Sequence, residues 1–275
     1  MGQNLDIESN MDIDESKLNE NWKEIRIQLV SNYRHCHIPL FANSGDARKN
    51  PEFIGSGFIA SCDGKILAVT CGHVVDLLVG RALTTIDINT GNEMNLGGEI
   101  LRHETLDIAI VNISGYSAVK IPEIGHLASN IADVDWMYVE GFPKKHNDSF
   151  LRDDSEWTPV GLRSRHLHRE SNRASSFNLP FLPADLVGKG ILEFDLTNFS
   201  EDDLVSVPKL FRPKMMSGSP VYVVDGPNTI YESPSEVVPK LVGVFIEHYE
   251  ISGVALFVEL SPTIENMMLK LTTDA

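Results

Sequence analysis

Three short segments of this chain carry residue types that can perform acyl transfer. Val69-Thr70-Cys71-Gly72-His73-Val74-Val75 holds a histidine, Thr105-Leu106-Asp107-Ile108-Ala109-Ile110-Val111 an aspartate, and Met216-Ser217-Gly218-Ser219-Pro220-Val221 a serine. A serine hydroxyl is a weak nucleophile at neutral pH. It needs a base to take its proton, and the base needs an orienter. His73 is the candidate base, at the end of a predicted strand and the start of a short helical turn, Val74–Leu78. Alone, a Thr-x-x-His reads better as an ordinary, partly buried histidine. Asp107 heads an apolar run, where a carboxylate is costly unless paired. Pairing with the ring N–H of His73 would fix the tautomer, although an isolated aspartate here reads better as a turn or strand cap. Ser217 lies in a turn of small residues, which lets a substrate backbone approach and can aim successive N–H groups at one point. Ser219 is the rival nucleophile in the same turn. Histidine, aspartate and serine in that chain order, each at a predicted strand end, together outweigh the separate bland readings.

The elements that must position them are mostly short strands. Candidates are Phe53–Ala60, Lys65–Thr70, Leu83–Asn89, Gly98–His103 and Asp107–Ile113, then Asp135–Glu140, Gly190–Leu196, Pro220–Val224, Leu241–Ile246 and Gly253–Glu259. Gly, Pro, Asp and Asn punctuate them, a pattern that predicts an antiparallel sandwich or barrel. Asp63-Gly64 predicts a hairpin turn between Cys62 and Lys65. Leu18, Trp22, Ile25 and Leu29 recur at helical spacing behind a Ser16 cap, predicting a helix over 16–31. Ser261-Pro262 reads as the start of a C-terminal helix whose apolar face is Ile264, Met267, Met268 and Leu271. The stretch 144–189 lacks clear periodicity and contains the basic patch Arg163-Ser164-Arg165-His166-Leu167-His168-Arg169. Loops of that length in a compact domain are usually functional or disordered.

Composition narrows the function classes. Apolar residues make up 42% of 275, enough for a real core. The net charge of −16 would repel a phosphate backbone, so nucleic acid is not an expected partner. Residues 1–20 contribute −5 of that, as an acidic tail. No apolar run reaches the roughly 18 residues of a membrane span, and no signal peptide is evident at the N-terminus. Cys36, Cys62 and Cys71 are odd in number and poorly placed to pair, so all three are expected as thiols in a reducing compartment. The expected location is cytoplasmic, without a membrane partner. His35 and His37 would share a face of a strand, but nothing nearby completes a metal site, so no metal is expected. No phosphate loop or dinucleotide fingerprint is present, and no cofactor is expected.

These segments resemble those of the trypsin/chymotrypsin-fold serine proteases, in the bacterial-type branch without disulfides. Gly55-Ser56-Gly57-Phe58-Ile59 with Val69–His73 is similar to the family's G-[ST]-G-F … T-x-x-H segment, and Leu106-Asp107-Ile108-Ala109 to its D-[LI]-A. Glu140-Gly141-Phe142-Pro143 resembles a G-[FY]-P turn, Met216–Pro220 resembles G-x-S-G-[GS]-P, and Leu241–Val244 resembles V-G-[IV]. The resemblance covers about residues 36–271. It implies an all-β fold of two antiparallel six-stranded β-barrels, with an added N-terminal and C-terminal helix. The implied division is 1–35 for the tail and first helix, 36–125 for the first barrel, and 126–275 for the second barrel with the insertion 144–189.

The implied activity is that of an intracellular serine endopeptidase, a trypsin-like hydrolase working through an acyl-enzyme on a protein or peptide substrate. His73, Asp107 and Ser217 would be catalytic, and the backbone N–H groups of Met215 and Ser217 would form the oxyanion hole. Phe211, Val244, Phe245, Ile246 and Glu247 would line the substrate cleft. Two departures stand out. Met215 replaces the family's glycine and restricts the backbone that builds the hole, which points to an activating protein partner. The 110 residues between Asp107 and Ser217 exceed the family's usual spacing. A catalytically silent, protease-fold binding module and an esterase remain alternatives.

Overall fold

The computed structural model describes residues 20–21, 24–25, 27–28, 31–46, 50–86, 92–103, 105–113, 120–124, 136–142, 160–167, 189–194, 215–224, 239–249, 254–260, 264 and 267. Thirteen strands run through them, all paired antiparallel within two sheets. The first seven are β1 (His37–Asn43), β2 (Glu52–Cys62), β3 (Lys65–Thr70), β4 (Ala82–Ile86), β5 (Glu93–Asn95), β6 (Ile100–Arg102) and β7 (Ala109–Asn112). They form one sheet in the order β5-β4-β1-β2-β3-β7-β6. The other six are β8 (Trp136–Gly141), β9 (Val160–Leu167), β10 (Lys189–Phe194), β11 (Pro220–Val224), β12 (Lys240–Tyr249) and β13 (Val254–Glu259). They close into a barrel, β10-β13-β12-β11-β8-β9.

The all-β expectation stands, with a correction to its detail. The first set has seven strands rather than six, and among the described residues its end strands β5 and β6 do not pair with each other. The β2–β3 hairpin turns where Asp63-Gly64 predicted. Both residues have positive φ, 47° and 73°, as a two-residue turn between right-twisted strands requires. Three strands escaped the pattern reading. β1 contains Pro39 and is buried at six of its seven positions, so it shows no alternation. Pro39 sits beyond the β4 ladder, which starts at Leu40, so its missing N–H costs that ladder nothing. Its carbonyl accepts from Thr85 Oγ1 at 2.6 Å. β9 takes in residues 163–167 of the basic patch, so part of the presumed loop is a barrel strand. β5 is three residues long, too short for a pattern.

One apolar cluster joins the two halves. Ile38, Leu40, Phe58, Ile59, Leu67, Val69 and Ile110 of the first sheet share it with Tyr138, Tyr222, Leu241 and Val244 of the barrel. The described residues between 20 and 33 are helical, and Ile25 is fully buried in the same cluster. Ile264 and Met267 are helical and buried there too. The remaining predicted helix positions, Leu18, Trp22, Leu29, Met268 and Leu271, lie outside the described residues. Among the described residues no helix is long and apolar enough to cross a membrane.

Across the seam runs a buried polar network. His37 of β1 bonds Glu140 Oε1 through Nδ1 at 3.1 Å and the Tyr222 hydroxyl through Nε2 at 2.8 Å. The Tyr138 hydroxyl donates to Glu140 Oε2 at 2.6 Å. Each buried polar group finds a partner here, which avoids the cost of an unmade bond. Burial, with nearby Cys36 and Glu140, pushes the Tyr222 phenol well up. His35 sits in a 3-10 turn, Arg34–Cys36, not in the strand, so it does not share a strand face with His37 as expected. Its Nε2 lies 2.6 Å from the Lys120 carbonyl. All three cysteines are buried and free, and burial pushes the Cys36 thiol up to about 12.

Candidate active site

His73 belongs to a five-residue helix, Gly72–Asp76, that follows β3 directly. Cys71 is its N-cap, in extended conformation. Asp107 sits in the bend before β7, which begins at Ala109 rather than at Asp107. β3 and β7 are neighbours in the sheet, pairing Thr70 with Ala109, so their two ends bring His73 and Asp107 together. The carboxylate grips the histidine twice. Asp107 Oδ2 lies 2.5 Å from Nδ1 of the ring, and Oδ1 accepts the His73 backbone N–H at 2.8 Å. One contact orients the ring and the other fixes the helix that carries it.

Partial burial alone would push the Asp107 carboxyl up. The hydrogen bonds and charge of His73 outweigh this, with the Arg102 guanidinium adding to them, and hold it below its ordinary value. Arg102 itself pairs with Asp76. The bend is shaped by a residue that the sequence reading passed over. His103 Nδ1 accepts from the backbone N–H of Thr105 at 3.2 Å and of Leu106 at 3.0 Å. Its position four residues before Asp107 is the signal the sequence offers for it.

Ser217 lies in the turn before β11, half-buried. The first sheet reaches it through Gly55 and Ser56 of β2. A Cβ at Gly55 would stand 3.0 Å from Val74 Cγ2 and 3.4 Å from the Ser217 carbonyl. The residue after His73 and the candidate nucleophile therefore meet across Gly55. The N–H of Ser56 donates to the Ser217 carbonyl at 3.2 Å. Gly218, at φ 93°, lies so close to β2 that an added Cβ would collide with the Ser56 carbonyl and Thr70 Oγ1. The rival serine is committed elsewhere. Ser219 is fully buried and its Oγ donates to the Met216 carbonyl at 2.5 Å.

The Phe245 carbonyl of β12 accepts the Gly218 N–H at 2.8 Å and the Cys71 thiol at 3.2 Å. One oxygen thus ties the His73 segment to the Ser217 turn. Complete burial, with the Asp107 charge adding, pushes the Cys71 thiol well up and keeps it a donor. Cys71, His73 and Asp107 have ligand-capable atoms within 4.8 Å of one another. The ring Nδ1 and both carboxylate oxygens are already paired, and the thiol is protonated, so the donor set suits proton transfer better than an ion.

Met215 has φ 74°, in the left-handed region. That conformation costs a side-chain-bearing residue about 1–2 kcal/mol, while glycine takes it freely. The methionine therefore adopts the backbone for which glycine is the usual residue. Its carbonyl accepts from Ser56 Oγ at 3.0 Å. Among the described residues, no acceptor takes the backbone N–H of Met215 or Ser217. Val244, Phe245 and Ile246 lie in β12 beside this turn and are buried. A register shift between Phe245 and Glu247 puts a bulge at Ile246, a device that re-aims strands near sites. Glu247 is in the same strand. Phe211 lies outside the described residues.

The fold is all-β and chymotrypsin-like, with the histidine and aspartate on one sheet and the serine turn on the other. A solved structure, the VesB protease of Vibrio cholerae, aligns with a TM-score of 0.54 at 12% identity, over 84% of this chain and 62% of that one. This chain therefore spans under two thirds of that protein's length, and at such identity the likeness is one of fold. No protein-family profile and no curated protein sequence matches the chain.

Proposed function

We propose that this chain is an intracellular serine endopeptidase that cleaves proteins or peptides through an acyl-enzyme. Ser217 attacks the peptide carbonyl. His73 takes the hydroxyl proton and returns it to the leaving amine. Asp107 holds the ring through Nδ1, which leaves Nε2 for the transfer, and stabilises the imidazolium once formed. The N–H groups of Met215 and Ser217 receive the oxyanion. Val244, Phe245 and Ile246 line the proposed cleft, a role the resemblance also gives Phe211 and Glu247. The observation that carries this reading is the double grip of Asp107 on His73, on ring and backbone together. A merely structural aspartate has no need to orient the ring. With Met215 already left-handed, an activating partner would act on substrate access rather than on that backbone.

The test is a fluorophosphonate probe, followed by mass spectrometry of the labelled peptide. Stoichiometric labelling at Ser217, lost in both Ser217→Ala and His73→Ala, supports the proposal. Absence of labelling in a folded protein, or labelling at Ser219, overturns it.

A further inference from the structure

Ser56 is fully buried on β2, yet it makes hydrogen bonds to four separate places. Its N–H donates to the Ser217 carbonyl at 3.2 Å, and its carbonyl accepts from Thr70 Oγ1 at 2.8 Å. Its hydroxyl accepts the Phe142 N–H at 2.9 Å, just past the end of β8, and donates to the Met215 carbonyl at 3.0 Å. A serine hydroxyl has one proton to give. With Phe142 occupying a lone pair, that proton is aimed at Met215. The chain Phe142 N–H, Ser56 Oγ–H, Met215 C=O runs from the barrel through the first sheet and back to the barrel.

Its terminus is a strained residue. Met215 has φ 74°, which a methionine left to itself disfavours. Rotating it to negative φ would swing its N–H away from the point where the Ser217 N–H converges. The tether holds the peptide that carries the Met215 carbonyl, so a change of φ must either break the bond to Ser56 or displace the chain before Met215. Gly141 leaves room for the arrangement, since a Cβ there would collide with Ser219 Oγ and stand 3.2 Å from Ser56 Oγ.

We infer that the Ser56 hydroxyl is a positioning residue that clamps Met215 in the left-handed conformation and so keeps its N–H available to the oxyanion. The inference rests on the protease reading above for its kinetic consequence, but its structural half stands apart. A glycine at 215 would need no clamp. This chain carries a methionine and compensates from the other sheet.

The test is a double-mutant cycle with Ser56→Ala and Met215→Gly, read by steady-state peptide hydrolysis. Ser56→Ala should lower kcat about 10- to 100-fold with KM within about twofold, since an oxyanion donor acts in the transition state; the ceiling is the roughly 10²- to 10³-fold effect of losing a donor outright. In the Met215→Gly background the same change should cost under about threefold, because glycine holds the conformation unaided. Circular dichroism of all four proteins checks that they are folded. An equal loss of kcat in both backgrounds means that Ser56 is merely structural and overturns the clamp. If the wild-type chain neither hydrolyses peptide nor labels with fluorophosphonate, the protease reading fails on its own. The clamp is then decided by a crystal structure of Ser56→Ala. Met215 moving to negative φ supports it, and Met215 remaining near its present φ overturns it.

Discussion

The two halves of the candidate site are held in different ways. His73 and Asp107 are 34 residues apart and sit at the ends of adjacent strands of one sheet. Their geometry follows from local pairing of β3 with β7. The Ser217 turn belongs to the barrel, and the bonds that shape it come from both sheets. Ser56 reaches Met215 over 159 residues, and Cys71 reaches Phe245 over 174. The histidine–aspartate pair is therefore built by one sheet, whereas the serine turn is shaped by the docking of two. Disturbing the docking should harm the serine side first and leave the histidine–aspartate pair intact.

The largest expected effect checks the serine side directly. Ser217→Ala should reduce peptide hydrolysis by about 10⁴- to 10⁶-fold, with circular dichroism and Tm close to wild type. Loss of activity in Ser219→Ala alone would reverse the assignment. Asp107→Asn tests the other side and should cost about 10⁴-fold, since an amide disfavours the tautomer that leaves Nε2 free. This variant also carries a pH signature. The Asp107 carboxyl is held below its ordinary value, so its contribution to stability is full above the unfolded value of about 3.9 and is lost as pH falls through the lowered folded value. Acid unfolding of the wild type should steepen in that window, and Asp107→Asn should flatten it. An unchanged acid limb would show that the pair adds nothing to folding.

Gly218→Ala addresses the docking. Its Cβ would meet the Ser56 carbonyl, and its φ of 93° disfavours any side chain. Stability should drop by about 2–4 kcal/mol in urea titration, with fluorophosphonate labelling lost even where the protein remains folded. Retained labelling would mean that the turn is shaped from within the barrel alone. The smallest effect is expected from Cys71→Ala, which removes one thiol–carbonyl bond. A loss of about 1 kcal/mol in stability, with kcat within about threefold, fits a tie that Gly218 partly duplicates. A loss of activity as large as that of Ser217→Ala would make the thiol part of the chemistry.

What the sequence disclosed follows the same division. Strands with alternating or evenly apolar faces, such as β3 and β11, appear at the bounds expected of them. The hairpin at Asp63-Gly64 was legible because its turn type demands particular residues. β1 was hidden by Pro39 and by burial on both faces, and β9 by arginines where a pattern reader expects apolar alternation. Within the site, His73, Asp107 and Ser217 stood out because their side chains carry chemistry in a recognised order. Ser56, Cys71 and the Phe245 carbonyl did not, because their contribution lies in hydroxyl–carbonyl and thiol–carbonyl bonds between segments more than 150 residues apart. Met215 stands out by its type, but its left-handed backbone was not predictable, since its carbonyl bonds Ser56 across 159 residues. The pairing of His37 with Glu140 and Tyr222 was equally invisible, because it joins strands of different sheets.

That last network has a bearing on how the molecule is made. His37 leaves the ribosome 103 residues ahead of Glu140 and 185 ahead of Tyr222. N-terminal units fold as they emerge, so the first sheet must wait with an imidazole set into the apolar face that its missing mate will cover. Water can solvate that ring in the interval. A wrong neighbour without a carboxylate and a phenol at the matching heights would leave it stranded. The nascent half is thus less adhesive than its core composition suggests, and it is selective about which surface it finally accepts.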